Sequence, residues 1–121
     1  MADVEPPVGL EEIRNELRRF AAERDWDQFH SPKNLATALT VEAAELLEHF
    51  QWLTDTESQN LAAEEREKVI LELADVFLYL VRLADKLDAD LVEAAQRKLV
   101  INAKRYPVSL SKGSAKKYTE L

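Results

Sequence analysis

The sequence predicts an all-α fold: a four-to-five-helix bundle that assembles into an oligomer. Three observations carry this. Apolar residues recur with helical period through most of the chain. No long stretch alternates with period two, as a sheet would require. Only two Gly and four Pro interrupt 121 residues.

The elements follow in order. After a short Pro-containing lead, Leu10, Ile13, Leu17, Phe20 and Ala21 mark a first amphipathic helix ending near Asp25. The segment WDQFHSP, residues 26–32, breaks it. Ser31 is a good N-cap and Pro32 suits the first helical turn, so a second helix runs to about Trp52. TDTESQN, residues 54–60, reads as a polar loop. A third helix spans about Leu61 to Leu87 and is apolar around most of its circumference. Val69, Leu73, Phe77, Leu80 and Ala84 lie on one side, with Leu71, Leu78 and Val81 on others. Such a helix is buried on more than one face, often by a second subunit. Asp90, with Glu93 three residues on, makes a capping-box pattern and opens a fourth helix that runs to Pro107. Residues 108–121, with Lys112, Lys116 and Lys117, read as a polar tail. Without linker or fixed-period repeat, residues 1–121 read as one domain with a helical core over about 10–107.

Composition narrows the function classes. The chain is 46% hydrophobic and 32% charged, which suits a soluble helical protein. It has no Cys, so neither disulfides nor thiolate chemistry are available, in keeping with a reducing compartment. No basic, apolar, small-residue signal opens it. Its longest apolar stretch, Val69 to Leu83, is broken by Glu72, Asp75 and Arg82, so no membrane span is expected. A formal charge of −7 argues against a nucleic-acid polymer as partner. A cytoplasmic enzyme or interaction module remains.

Within the second helix one residue is out of place. With Leu35 at zero and about 100° per residue, Leu39, Leu46 and Leu53 fall within about 40° of it, and Glu42 at roughly −20°. Glu45 sits at the stripe's edge. A buried carboxylate costs several kcal/mol unless its charge is compensated. The third helix repeats the pattern: Glu72, Asp75 and Tyr79 form a narrow polar stripe, continued by Lys68 and Lys86. Each helix thus presents an i, i+3 acid pair from apolar surroundings. Two charges at about 5 Å repel by roughly 3 kcal/mol at an effective dielectric near 20, and only protons or bound cations relieve that. All-oxygen ligation selects a hard ion, Mg²⁺ or Mn²⁺. Either pair alone is also what a solvated acidic face looks like; both together, each interrupting an apolar helix, are harder to explain that way.

The fourth helix carries the opposite charge. Lys98, Asn102 and Arg105, at i, i+4 and i+7, form a stripe suited to a polyphosphate, although an isolated basic face is usually only solvated. Aromatic residues gather nearby in sequence: Trp26 and Phe29 before helix two, Trp52 at its end, Tyr79 one turn beyond Asp75. They read as core or interface anchors, or as a stacking pocket for a base. His30 and His49 read as hydrogen-bonding residues. His49 follows Glu45 by four, not the three of the Glu-x-x-His di-iron motif.

Glu42-x-x-Glu45, then Glu72-x-x-Asp75, then K-x-x-x-N-x-x-R-Y-P from Lys98 to Pro107 resembles the all-α nucleoside triphosphate pyrophosphohydrolases of the MazG-like group. FAAERDWDQFHSPKNL from Phe20, FQW at Phe50 to Trp52, and the terminal KKYTEL resemble its dCTP pyrophosphatases. The likeness runs from about Leu10 to Leu121. One departure is at Leu17, near which that subgroup often carries a histidine. The resemblance implies hydrolysis of a nucleoside triphosphate to the monophosphate and pyrophosphate, with Mg²⁺ (or Mn²⁺ as a substitute) held by Glu42, Glu45, Glu72 and Asp75. It implies phosphate contacts from Lys98, Asn102 and Arg105, and a nucleotide bordered by Trp26, His30, Trp52, Tyr79 and Tyr106. It also implies a homotetramer with shared sites. Metal-bound water would supply the nucleophile and one carboxylate of the four its base. The expected function is dCTP or modified-dCTP hydrolysis, cleansing the nucleotide pool. Its alternatives are a broader triphosphate preference and a non-catalytic oligomerisation or regulatory module. The intact quartet speaks against the last.

Overall fold

A computed structural model of the chain describes residues 5–121. The order is α1 (Leu10–Glu23), a 3₁₀ turn (Asp27–Phe29), α2 (Pro32–Glu48), α3 (Asp55–Ser58), α4 (Ala63–Lys86), α5 (Leu91–Arg105), α6 (Val108–Ser111) and a second 3₁₀ turn (Tyr118–Glu120). Among the described residues there is no strand, and no helix is long and apolar enough to cross a membrane. The chain divides into two compact units, one reaching to Asp88 and the other running from Ala89 to Leu121.

In the first unit α4 packs against both α2 and α1. The residues sealed by that packing are Ala21 of α1, Leu35 of α2, and Val69, Val81 and Ala84 of α4. Burying Leu35 contributes about 2 kcal/mol. The expected many-sided apolar character of α4 is present: Leu71, Leu73 and Phe77 remain 59%, 49% and 41% exposed on the single chain.

Local chemistry sets the helix ends. Ser31 Oγ accepts the Asn34 N–H at 3.1 Å, and Pro32 fills the first turn of α2 as expected. Asp90 caps α5 by accepting from the Glu93 N–H at 3.0 Å. Helix α1 closes with Asp25 in the left-handed region at φ 55°. Its N–H donates to the Ala22 carbonyl at 3.2 Å, and the Trp26 N–H donates to the Ala21 carbonyl at 2.9 Å. That pair of bonds is the Schellman closure, with Asp where Gly is commonest. It turns the chain sharply and delivers Trp26 beside the helix it has just left.

Two expectations need correction. Helix α2 stops at Glu48, four residues before Trp52. The Phe50 N–H bonds back to the Leu47 carbonyl at 2.9 Å, tightening the last turn and ending the regular ladder. The TDTESQN segment is not all loop, because Thr54 and Glu57 form a reciprocal capping box that holds the one-turn helix α3. The polar C-terminal segment carries α6 and a 3₁₀ turn.

Candidate functional site

Carboxylate oxygens of Glu42, Glu45 and Glu72 lie within 4.8 Å of one another where α2 faces α4. Helical spacing puts Glu42 and Glu45 on one face of α2, and the packing of α4 brings Glu72 opposite. Glu42 and Glu72 are half-buried, while Glu45 is exposed. Glu42 Oε2 and Glu72 Oε1 are each sealed from solvent without a hydrogen-bond donor. The proton affinity of Glu42 rises accordingly. Sharing a proton with Glu72, then partial burial, then the Glu45 carboxylate push its pKa from 4.5 to about 7. Two orphaned carboxylate oxygens on members of one acidic cluster are what a hard divalent cation satisfies. The donor set therefore fits a hard divalent cation.

Without metal, this cluster makes stability depend on pH. The folded state binds the Glu42 proton more tightly than the unfolded chain does, so the contribution is full below about pH 4.5 and lost as pH rises through about 7. His30 contributes with the opposite sign, because burial first, then Arg82 and Lys86, lower its pKa. Comparison with Glu42→Gln isolates the carboxylate. The expected result is that the melting temperature of the metal-free protein falls between pH 5 and 8 relative to Glu42→Gln, and that Mg²⁺ removes the difference. Parallel melting curves with and without Mg²⁺ would contradict the cluster's charge state.

Asp75 does not join this group. One turn further along α4, it lines a cavity of about 210 Å³. Leu17, Phe20 and Ala21 of α1, Trp26 and His30 of the connecting segment, and Leu78, Tyr79 and Arg82 of α4 complete the walls. Phe20 meets the Trp26 ring edge-on at 5.7 Å. The structure thus brings together Trp26, His30, Asp75 and Tyr79 beside the acid cluster. Leu17 is a wall of this cavity. Trp52 is not among its walls and is 86% exposed in the turn after α2.

Arg82 went unrecognised in the sequence except as a charge interrupting an apolar run. It is only 6% exposed. Its Nε donates to His30 Nδ1 at 3.2 Å and its Nη2 to Asp27 Oδ1 at 2.7 Å; Nη1 lies 3.6 Å from Asp85 Oδ2. Lys86 also reaches Asp27, and Arg18 of α1 holds Asp85 through two bonds. Asp27 and Asp85 are held below the usual carboxylate range, mainly by Lys86 and Arg18 respectively. A signal was available: Arg82 is seven residues after Asp75 and three after Tyr79, on the polar stripe of α4. The histidines are hydrogen-bonded as expected, His49 Nδ1 lying 2.7 Å from Glu65 Oε1.

In the second unit, Lys98, Asn102 and Arg105 are exposed along α5, as their spacing requires. The Arg105 guanidinium stacks 4.7 Å from the centroid of the Tyr118 ring, and Tyr106 meets the same ring edge-on at 6.0 Å. Tyr118, in the KKYTEL segment, organises these two side chains.

Comparison with known proteins agrees with this geometry. The MazG-like family matches residues 37–121, a span that includes all three clustered acids and α5. Mouse dCTP pyrophosphatase 1 is 51% identical over 118 residues, covering 96% of this chain and 69% of that protein. Human dCTP pyrophosphatase 1 is 49% identical with the same coverage. A crystal structure of a pyrophosphatase from Archaeoglobus fulgidus superposes with a TM-score of 0.78 at 36% identity, covering 88% of this chain and 99% of that one. The all-helical architecture is that of the MazG-like pyrophosphatases, and the chain belongs to the MazG-like family.

Proposed function

We propose that this protein is a Mg²⁺-dependent pyrophosphohydrolase that converts dCTP, or a modified dCTP, to dCMP and pyrophosphate and so cleanses the nucleotide pool of the cytoplasm. The observation that carries the reading is the acid cluster with its two orphaned oxygens, set one helical turn from an aromatic cavity. The names of the mouse and human relatives point to the base.

Glu42, Glu45 and Glu72 would hold Mg²⁺ (or Mn²⁺), with Asp75 completing the set from the adjacent turn. When bound, the ion lowers the pKa of a water and offsets phosphate charge. The chain's own residues do the rest. A carboxylate left free of full ligation takes the proton of the attacking water. Trp26 and Tyr79 offer ring faces to a base, and His30 a polar contact. Lys98, Asn102 and Arg105 are assigned to the triphosphate by their i, i+4, i+7 spacing, and Tyr106 to the nucleotide by the family resemblance of the K-x-x-x-N-x-x-R-Y segment. The matched span crosses the division at Asp88, which supports reading residues 1–121 as one functional domain.

The deciding experiment is a panel of canonical and modified triphosphates with Mg²⁺, scored for monophosphate and pyrophosphate. dCTP or a modified dCTP should lead it. Release of inorganic phosphate, or turnover of none of them, would reject the reading. We further assign the exposed apolar face of α4 to other copies of the chain, in a tetramer. Light scattering at micromolar concentration should give about four times 13.8 kDa. An active monomer would overturn the assignment.

A further inference from the structure

We infer that Arg82 is a positioning residue: its guanidinium holds His30 in the tautomer with the proton on Nε2, so the cavity meets its ligand with one fixed N–H donor. This rests on the proposal that the cavity seats the base.

The argument starts from donor chemistry. A guanidinium has five N–H groups and no lone pair to accept with, so any ring nitrogen facing it must be unprotonated. Arg82 Nε faces His30 Nδ1 at 3.2 Å. In a neutral imidazole the proton then sits on Nε2. Arg82, Lys86 and Asp27 surround the ring, and Asp75 and Tyr79 share its cavity. Burial and the two cations disfavour a second proton. Arg82 itself cannot swing away, because Asp27 and Asp85 engage its other nitrogens. Lysine has no planar fork and could not hold three partners in these directions.

A fixed donor discriminates among bases. Cytosine presents an acceptor at N3, whereas thymine and uracil carry a proton there; O2 accepts in all three, so the contact that discriminates is the one at N3. A ring locked as a donor at this position pairs with cytosine N3 and is set against the N3–H of thymine or uracil. A ring free to exchange tautomers can satisfy either. Arg82 would thus set selectivity through His30 without touching the reacting phosphorus.

The test uses the full-length protein with ring nitrogens labelled, the His30 signals being assigned by their loss in His30→Gln. Wild type should show Nδ1 as the lone-pair nitrogen and Nε2 as protonated at neutral pH. Arg82→Lys should give a mixture of tautomers. The same variant should lower the dCTP-to-dTTP ratio of kcat/KM about tenfold, with most of the change in KM. A protonated Nδ1 in wild type overturns the inference, as does an unchanged ring spectrum in Arg82→Lys. Lost selectivity without a spectral change also overturns it. Should Arg82→Lys fail to fold, His30 variants decide. Glutamine can accept the Arg82 Nε–H through its carbonyl oxygen and so present its N–H near the Nε2 position, so His30→Gln should keep the preference that His30→Leu loses; equal loss in both counts against the proposal. The ring spectrum reads the tautomer whatever is hydrolysed, so this failure is distinct from failure of the proposed activity.

Discussion

Glu42→Gln should lower kcat/KM by a hundredfold or more while leaving the protein folded. A hundredfold loss corresponds to about 2.7 kcal/mol of transition-state stabilisation. The substitution keeps the side chain's shape and removes the charge at the centre of the cluster. In wild type that charge is opposed by Glu45 and Glu72 until a cation or proton offsets it. The neutral amide should therefore cost metal affinity and activity yet leave the metal-free fold as stable or more so. The check is turnover at saturating Mg²⁺ together with thermal melting in chelator. Unchanged turnover would remove the acid cluster from the mechanism. A large loss accompanied by a lower metal-free melting temperature would show a structural role instead.

Trp52→Ala should raise KM for the best nucleoside triphosphate about tenfold, in line with roughly 1–3 kcal/mol for a base stacked on an aromatic ring. The same is expected of Trp26→Ala, but the two tryptophans would reach the base by different routes. Trp26 lines the cavity with Asp75 on one chain. Trp52 stands 86% exposed beyond the far end of α2, a helix of 17 residues and about 25 Å. It should reach a nucleotide bound to another subunit. Mixing Glu42→Gln chains with Trp52→Ala chains should then restore activity at low substrate, because a hybrid site combines intact acids with a partner's Trp52. Mixing Glu42→Gln with Trp26→Ala should restore none, since acids and Trp26 come from one chain. Absence of recovery in the first mixture, once subunit exchange is shown, would count against a shared site.

Local signals were well preserved in the sequence. Ser31 and Asp90 cap the helices they were expected to cap, and Glu42 stands in the stripe of Leu35 as helical periodicity required. The capping box at Thr54 and Glu57 was equally local, and was overlooked because the segment's polarity resembled a loop. What could not be read was which neighbour each turn of α4 would face. Spacing of three put Glu72 and Asp75 on one side of the helix, yet Glu72 meets the acids of α2 and Asp75 the cavity beside α1. Arg82 was opaque for the same reason. Its partners Asp27 and His30 are 55 and 52 residues away, and no local pattern reports a pairing across that distance.

The thin core has a consequence for how long the enzyme survives. Among the described residues, five small and medium apolar side chains are sealed within the first unit, while Phe77 and Leu73 still meet water. If sister chains cover that face, folding and association become one equilibrium, governed by mass action. Dilution then acts as a denaturant: each tenfold drop in concentration lowers the temperature at which the protein melts, and the cell sets the enzyme's durability through the number of copies it makes.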